Sequence, residues 1–126
     1  EEPNFTSFCA ALRAGNPEAL VAFNPGVLTP VICHTPLEDF TAGEIATAFP
    51  VCPGAFVNQA RYHILSYLGA DWCRGEPRFP DEFVIGYTKH VMSKGGVVTW
   101  DIPIDATGTI PHAFLRQLQA LKAAAH

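Results

Sequence analysis

Four acidic side chains stand where carboxyl chemistry could be built. Glu38, Asp39 and Glu44 fall in one long, proline-punctuated connection, and Asp101 stands late in the most strand-like run, Val97-Val98-Thr99-Trp100-Asp101-Ile102. A positioned carboxyl can give or take a proton in a reaction, and it accepts hydrogen bonds when ionised. Tyr67, Trp72 and Trp100 offer wide aromatic faces for stacking on a ring. Trp100 and Asp101 are consecutive in a strand and point to opposite sides of it, so Trp100 is expected on the core side. Tyr67 and Trp72, near the end of an earlier strand, are the better candidates for a pocket.

Other chemistries are poorly supplied. His34, His63, His90, His112 and His126 show no HxH or HxxxH spacing, and Cys9, Cys33, Cys52 and Cys73 include no CxxC pair. No metal site is therefore expected. His90 is expected as a cation at a helix end, and His63 as a satisfied core histidine. There is no G-x-S-x-G nucleophile turn and no phosphate-cradling glycine motif, so no cofactor is expected.

The 126 residues suit one domain, 1–126. With 48% hydrophobic and 16% charged residues, the chain is too apolar for intrinsic disorder. Eight basic against 12 acidic residues leave a net charge of −4 and no basic surface for nucleic acid. No run approaches the roughly 18 apolar residues that would span a bilayer, so neither nucleic acid nor membrane is an expected partner. The opening Glu1-Glu2-Pro3 does not read as a signal peptide. An even cysteine count and the sequon Asn4-Phe5-Thr6 point to a secreted or extracellular protein; buried free thiols in the cytoplasm are the alternative. Four cysteines allow three pairings, of which Cys33–Cys52 is the first to test.

The elements that must position these groups follow from spacing. Asn4 can cap a helix with Phe5, Phe8, Cys9 and Leu12 on one face, closed at Gly15. Leu20-Val21-Ala22-Phe23 reads as a short buried strand, stopped by Asn24-Pro25-Gly26. The connection from 25 to about 60 holds five prolines and room for a short helix within 42–48. A strand is expected over 61–68. A helix should open with Pro80 at its first position, present Phe83, Val84, Tyr87 and Val91, load Lys89, His90 and Lys94 into its last turn and end at Gly95-Gly96. The run 97–102 is the strongest strand. Gly108-Thr109-Ile110-Pro111 opens a last helix with Phe114, Leu115, Leu118 and Leu121 on its apolar face and a fraying tail over 123–126. Alternating elements of this kind predict an α/β fold with parallel strands and crossover helices.

The run from His90 through Ser93-Lys94-Gly95-Gly96 and the strand to Ile104, followed by Gly108-Thr109-Ile110-Pro111, resembles the end of the catalytic barrel of family 29 glycoside hydrolases, the α-L-fucosidases. Phe23-Asn24-Pro25-Gly26-Val27-Leu28 resembles the segment ending an earlier barrel strand in that family. Residues 62–72 take the place of its strand with a Trp-Gly signature, although here Trp72 is followed by Cys73. The run Phe79–His90 is similar to one in fucosidase-like bacterial and fungal proteins.

The resemblance implies a partial (β/α)₈ TIM barrel, about its last three strand–helix units, since a whole barrel needs about 250 residues. It implies a C-terminal barrel segment that supplies a sugar-facing rim at the strand ends. Glu44 would be the acid/base, among the apolar Phe40, Ile45 and Phe49, and Asn24, Tyr67, Trp72 and Asp101 would bind substrate. Asp101 falls where the family carries an asparagine. Retaining glycosidases need a second carboxyl about 5–5.5 Å away, and the family's nucleophile lies on an earlier strand, so the chain alone is expected to be inactive. The implied partners are a glycan and either an N-terminal companion chain or further copies of this one. The alternative is an inactive half-barrel that binds glycans or another protein.

Overall fold

In the computed structural model, which describes residues 4–125, the chain runs α1 (Phe5–Arg13), β1 (Phe56–Val57), β2 (Ala60–Arg61), β3 (His63–Tyr67), α2 (Asp81–Ser93), β4 (Val97–Asp101) and α3 (His112–Ala124). Glu1-Glu2-Pro3 and His126 lie outside the described residues. The fold is mixed α/β. β1 and β2 form a short antiparallel hairpin. β3 and β4 pair in parallel, from His63 opposite Val97 to Tyr67 opposite Asp101, with α2 as the crossover that parallel neighbours require.

Period-two alternation sorts β3 and its flanks into two faces. Tyr62, Ile64, Ser66 and Leu68 are buried. The Ser66 hydroxyl donates to Ile45 O at 3.0 Å. Tyr62, Ile64 and Leu68 pack with Val84 and Val91 of α2 and Phe114 of α3 in two apolar clusters. Trp100 joins them as expected, its indole N–H donating to Thr88 Oγ1 at 3.0 Å. On the opposite face Val97 is 47% exposed and Thr99 is exposed, while Tyr67 is buried, so one side of the parallel pair is covered by helices and the other is open along the start of β4.

A third extended segment runs beside β3. Phe40 and Glu44 form parallel bridges to Arg61 and Leu65. Thr41 N–H donates to Arg61 O, Leu65 N–H to Gly43 O, and Ile45 N–H to Leu65 O, at 2.9–3.0 Å. Between them the ladder is interrupted at Gly43, whose φ is +61°. The Thr41 hydroxyl fills the gap: it donates to His63 O and accepts from His63 N–H, each at 2.9 Å. A side chain thus satisfies two backbone groups that the kinked partner leaves unpaired. The helix expected within 42–48 is absent because Gly43 and Ile45 bond to β3, while the Glu44 and Ala46 carbonyls accept from Leu28 N–H and Arg78.

Other boundaries moved for local reasons. Asn4 does cap α1, accepting the Ser7 N–H at 3.1 Å, but the helix ends at Ala14 and Gly15 supplies no left-handed cap. Pro80 and Pro111 each precede their helix in extended backbone, with Asp81 and His112 as first helical residues. Gly95, with φ +83°, closes α2 as expected, and the Gly95 and Gly96 N–H groups return to the Met92 and Val91 carbonyls. α3 continues through Ala124, so 123–124 do not fray, and Leu115 is 39% exposed rather than part of the apolar face.

Leu20–Phe23 is not a strand: Leu20 is 75% exposed and only Val21 is buried. Cys33 and Cys52 are not bonded; all four cysteines are free thiols. His90 is not a helix-end cation: its Nε2 accepts the Cys52 N–H at 3.0 Å, which requires a neutral ring.

A methyl group at position 43 would sit 1.8 Å from His63 O, on a backbone conformation that side chains disfavour. Gly43→Ala is expected to lower unfolding free energy by more than about 2 kcal/mol in urea titration; a loss below about 0.5 kcal/mol would contradict this account of the kink.

Candidate functional site

The connection offered three carboxylates, and the structure separates them by use. Glu38 is 3% exposed and serves as a clip: Oε1 accepts Phe23 N–H at 2.8 Å, and Oε2 accepts His34 and Thr35 N–H at 2.6 and 3.3 Å. Asp39 Oδ2 accepts Val21 N–H and pairs with Arg13, both at 2.7 Å. These bonds fold residues 19–38 back on the extended segment in place of a strand ladder. Glu44 is different. Its backbone is held by β3, while its carboxylate meets one side chain, the Asn24 amide, which donates to Oε2 at 2.6 Å. Asn24 is oriented by its own turn, its Oδ1 accepting Gly26 N–H at 2.8 Å. Phe40 packs edge-on against His63, and Phe49 lies among Phe79, Phe83 and Tyr87. The carboxylate's partner is therefore an amide rather than an apolar ring.

Glu44, Tyr67 and Asp101 all stand at the carboxyl ends of their parallel segments. Glu44 bridges to Leu65, two residues before Tyr67, and Tyr67 is the register partner of Asp101. The Tyr67 and Trp72 rings are 4.6 Å apart. On its other contact Tyr67 carries the Arg78 guanidinium, 3.6 Å from the ring centre. The five residues singled out from sequence thus fall on one rim: Asn24 with Glu44, Tyr67 with Trp72, and Asp101 beside Tyr67.

Two further residues shape the rim. Arg78 donates from Nε to Tyr67 O, from Nη1 to Ala46 O and from Nη2 to Ser66 Oγ, at 2.9–3.1 Å, and its guanidinium lies 4.3 Å from the Phe79 ring centre. It ties the Glu44 segment to the end of β3. Cys73 clasps Asp101: its N–H donates to Oδ2 at 2.6 Å and its thiol to Oδ1 at 3.1 Å. Cys73 adopts φ +55°, a left-handed conformation that costs a side-chain-bearing residue about 1–2 kcal/mol. Sequence marked position 73 only as a departure from a Trp-Gly pair, and nothing in local spacing marked Arg78.

A cavity of about 380 Å³, lined by Leu20, Asp39, Phe40, Arg61, His63 and Val97, lies at the other end of the strands. There His63 is satisfied on both nitrogens. Nδ1 faces the Thr41 and Ala42 carbonyls at 3.0 and 3.1 Å and must carry the proton, and Nε2 accepts from Thr99 Oγ1 at 2.8 Å. Among the described residues no three His, Cys, Asp or Glu side chains gather into a metal-binding group, and no helix is long and apolar enough to cross a membrane.

No protein-family model matches the chain, and no curated protein matches it in sequence. Two solved structures share its fold. An endo-fucoidan hydrolase from glycoside hydrolase family 107 superposes with a TM-score of 0.73 at 20% identity, over 96% of this chain and 24% of its own. α-L-Fucosidase isoenzyme 1 from Paenibacillus thiaminolyticus superposes with a TM-score of 0.62 at 19% identity, over 97% of this chain and 30% of its own. Both relatives are fucose-related glycoside hydrolases by name, and at these identities the likeness is one of fold. The chain spans less than a third of either.

Two expectations follow. Arg78→Lys keeps the charge but offers a point donor in place of a planar fork, leaving backbone acceptors unpaired, and should cost about 2–3 kcal/mol in urea unfolding; a loss within about 0.5 kcal/mol would show the fork to be dispensable. The second concerns acid. Burial lowers the His63 pKa from its ordinary 6.5, outweighing the two carbonyls that raise it. Above 6.5 the ring is neutral in both states and its contribution is complete. As pH falls below 6.5 the unfolded chain takes the proton first, so stability declines until pH passes below the folded-state value. A wild-type minus His63→Asn difference curve of unfolding free energy should fall through that window; a flat difference would refute it.

Proposed function

We propose that this chain is the rim-bearing part of a fucose-directed glycoside hydrolase, and that it binds fucose-containing glycans at the carboxyl ends of its strands. The observation that carries this reading is the gathering of Asn24–Glu44, Tyr67–Trp72 and Asp101 on one rim of a unit whose fold recurs in an endo-fucoidan hydrolase and an α-L-fucosidase. In finer terms, the unit is a sector of a (β/α)₈ barrel of the family 29 kind, about three strand–helix units, completed by an N-terminal companion or by further copies. Its open sheet face and extended edge suit such completion. Secretion belongs to the same proposal and rests on the sequon at Asn4, which is exposed.

The roles divide by chemistry. Trp72, half-buried and backed by the buried Tyr67 ring, supplies an apolar face for the C–H side of a sugar ring. Asp101 and the Asn24 amide read hydroxyls. Glu44 is the candidate acid/base, held by Asn24 so that its free oxygen can face a glycosidic oxygen. Asp101, both of whose oxygens accept hydrogen bonds from Cys73, is an oriented acceptor for hydroxyls rather than a freely turning carboxylate. This favours glycan binding without turnover by the chain alone.

Calorimetric titration with fucoidan oligosaccharides should give weak binding that Trp72→Ala reduces at least about five-fold, the scale of one good stacking contact. 4-Nitrophenyl α-L-fucoside should not be hydrolysed by the isolated chain. Turnover that disappears in Glu44→Gln would overturn the division of roles, and binding indifferent to Trp72, Tyr67 and Glu44 would move the site elsewhere.

A further inference from the structure

Cys73 brings a left-handed backbone, an exposed thiol and both oxygens of the Asp101 carboxylate together in one place. We propose that Cys73 is the positioning residue of the rim, its amide and thiol jointly fixing the Asp101 carboxylate in the orientation that accepts sugar hydroxyls beside the Tyr67–Trp72 pair. The proposal rests on the glycan-binding reading above and names how that site is set.

A carboxylate at the open end of a strand turns about its terminal bond, and a sugar hydroxyl that meets it must first stop that rotation. Here the stop is built in. One oxygen takes the Cys73 N–H at 2.6 Å and the other takes the thiol at 3.1 Å, so the two donors of a single residue hold opposite sides of the group. Each oxygen keeps a further lone-pair direction, so the clasp orients Asp101 without exhausting it as an acceptor. The thiol is suited to the task only while protonated, and the carboxylate beside it pushes its pKa up from the ordinary value of 9.0.

The backbone argues the same way. At φ +55° the comfortable residue is glycine, which the neighbouring turn uses at Gly75 with φ +81°. Position 73 carries a side chain despite the strain, and the polar atom of that side chain reaches Asp101. Trp72, the residue before it, packs tilted against Tyr67, so a single turn sets both the aromatic wall and the carboxylate.

The decisive variant is Cys73→Gly, which keeps the amide donor, relieves the left-handed backbone and removes the thiol. Its urea midpoint should equal or exceed that of wild type, while fucoidan-oligosaccharide affinity falls about five-fold, the scale of one hydrogen bond. Cys73→Ser, with a hydroxyl donor, should restore affinity to within about two-fold. A separate arm reads the clasp without sugar: iodoacetamide alkylation of Cys73, followed against pH by peptide mass mapping, should shift to lower pH in Asp101→Asn. An unshifted profile overturns the clasp, and a Cys73→Gly protein that binds as tightly as wild type overturns the positioning role. A shifted profile in a wild type that binds no fucoidan oligosaccharide shows the clasp intact and the glycan reading wrong, and the proposal falls with that reading.

Discussion

One guanidinium holds the rim together. Arg78 reaches the Ala46 carbonyl on the extended segment, the Tyr67 carbonyl and Ser66 hydroxyl on β3, and the faces of Tyr67 and Phe79. Its own N–H donates to Leu68 O. No apolar side chain could do this, because the groups to be joined are carbonyls at strand ends, where the regular ladder has run out and acceptors would otherwise lack partners. The planar fork supplies donors in fixed directions and the aromatic rings pack its faces, so the Glu44 segment keeps its place beside β3 beyond the last bridge. The placement of Glu44 relative to Tyr67 depends on that bracket.

The N-terminal half is organised by a second device. Glu38 and Asp39 take up N–H groups that a strand would have paired, and Arg13 anchors Asp39 from α1. Carboxylates accept strong bonds from amide N–H groups, and two adjacent residues can gather donors from several turns of loop. The cost is chemical availability. Glu38 is buried among the N–H groups it gathers and Asp39 faces the cavity at the other end of the strands, and this is why three acidic residues within seven positions leave Glu44 alone near the rim.

The legibility of the sequence followed the same line. α2, β3, β4 and α3 were readable from local pattern: Phe83, Val84, Tyr87 and Val91 at helical spacing, the apolar run Ile64, Leu65, Tyr67 and Leu68, the β-branched and aromatic run 97–102, and Gly95-Gly96 where α2 must stop. Tyr67, Trp72 and Asp101 were legible as residues at or near strand ends for the same reason, whereas Asn24 and Glu44 were marked only by the family resemblance. The connection was not readable. Residues 42–48 look helical in isolation, but Gly43 and Ile45 are bonded to β3, a tertiary override of local preference. Leu20–Phe23 carries a strand-like run whose ladder is replaced by two side chains. The clasp of Cys73 on Asp101 joins residues 28 apart, and no local period records such a pair.

The division between periodic and clipped halves has a kinetic side. β3, α2, β4 and α3 are joined by backbone ladders and two apolar clusters, so they form the natural cooperative unit of the chain. The region before Glu38 is fastened mainly by side-chain bonds to single N–H groups, each of which can open without its neighbours. Amide exchange would therefore be fast in the turn around Asn24 and slow along β3. The Asn24 amide can leave Glu44 while the strand that carries Tyr67 stays closed, and a ligand arriving at that carboxylate would meet a loop that yields above a floor that does not.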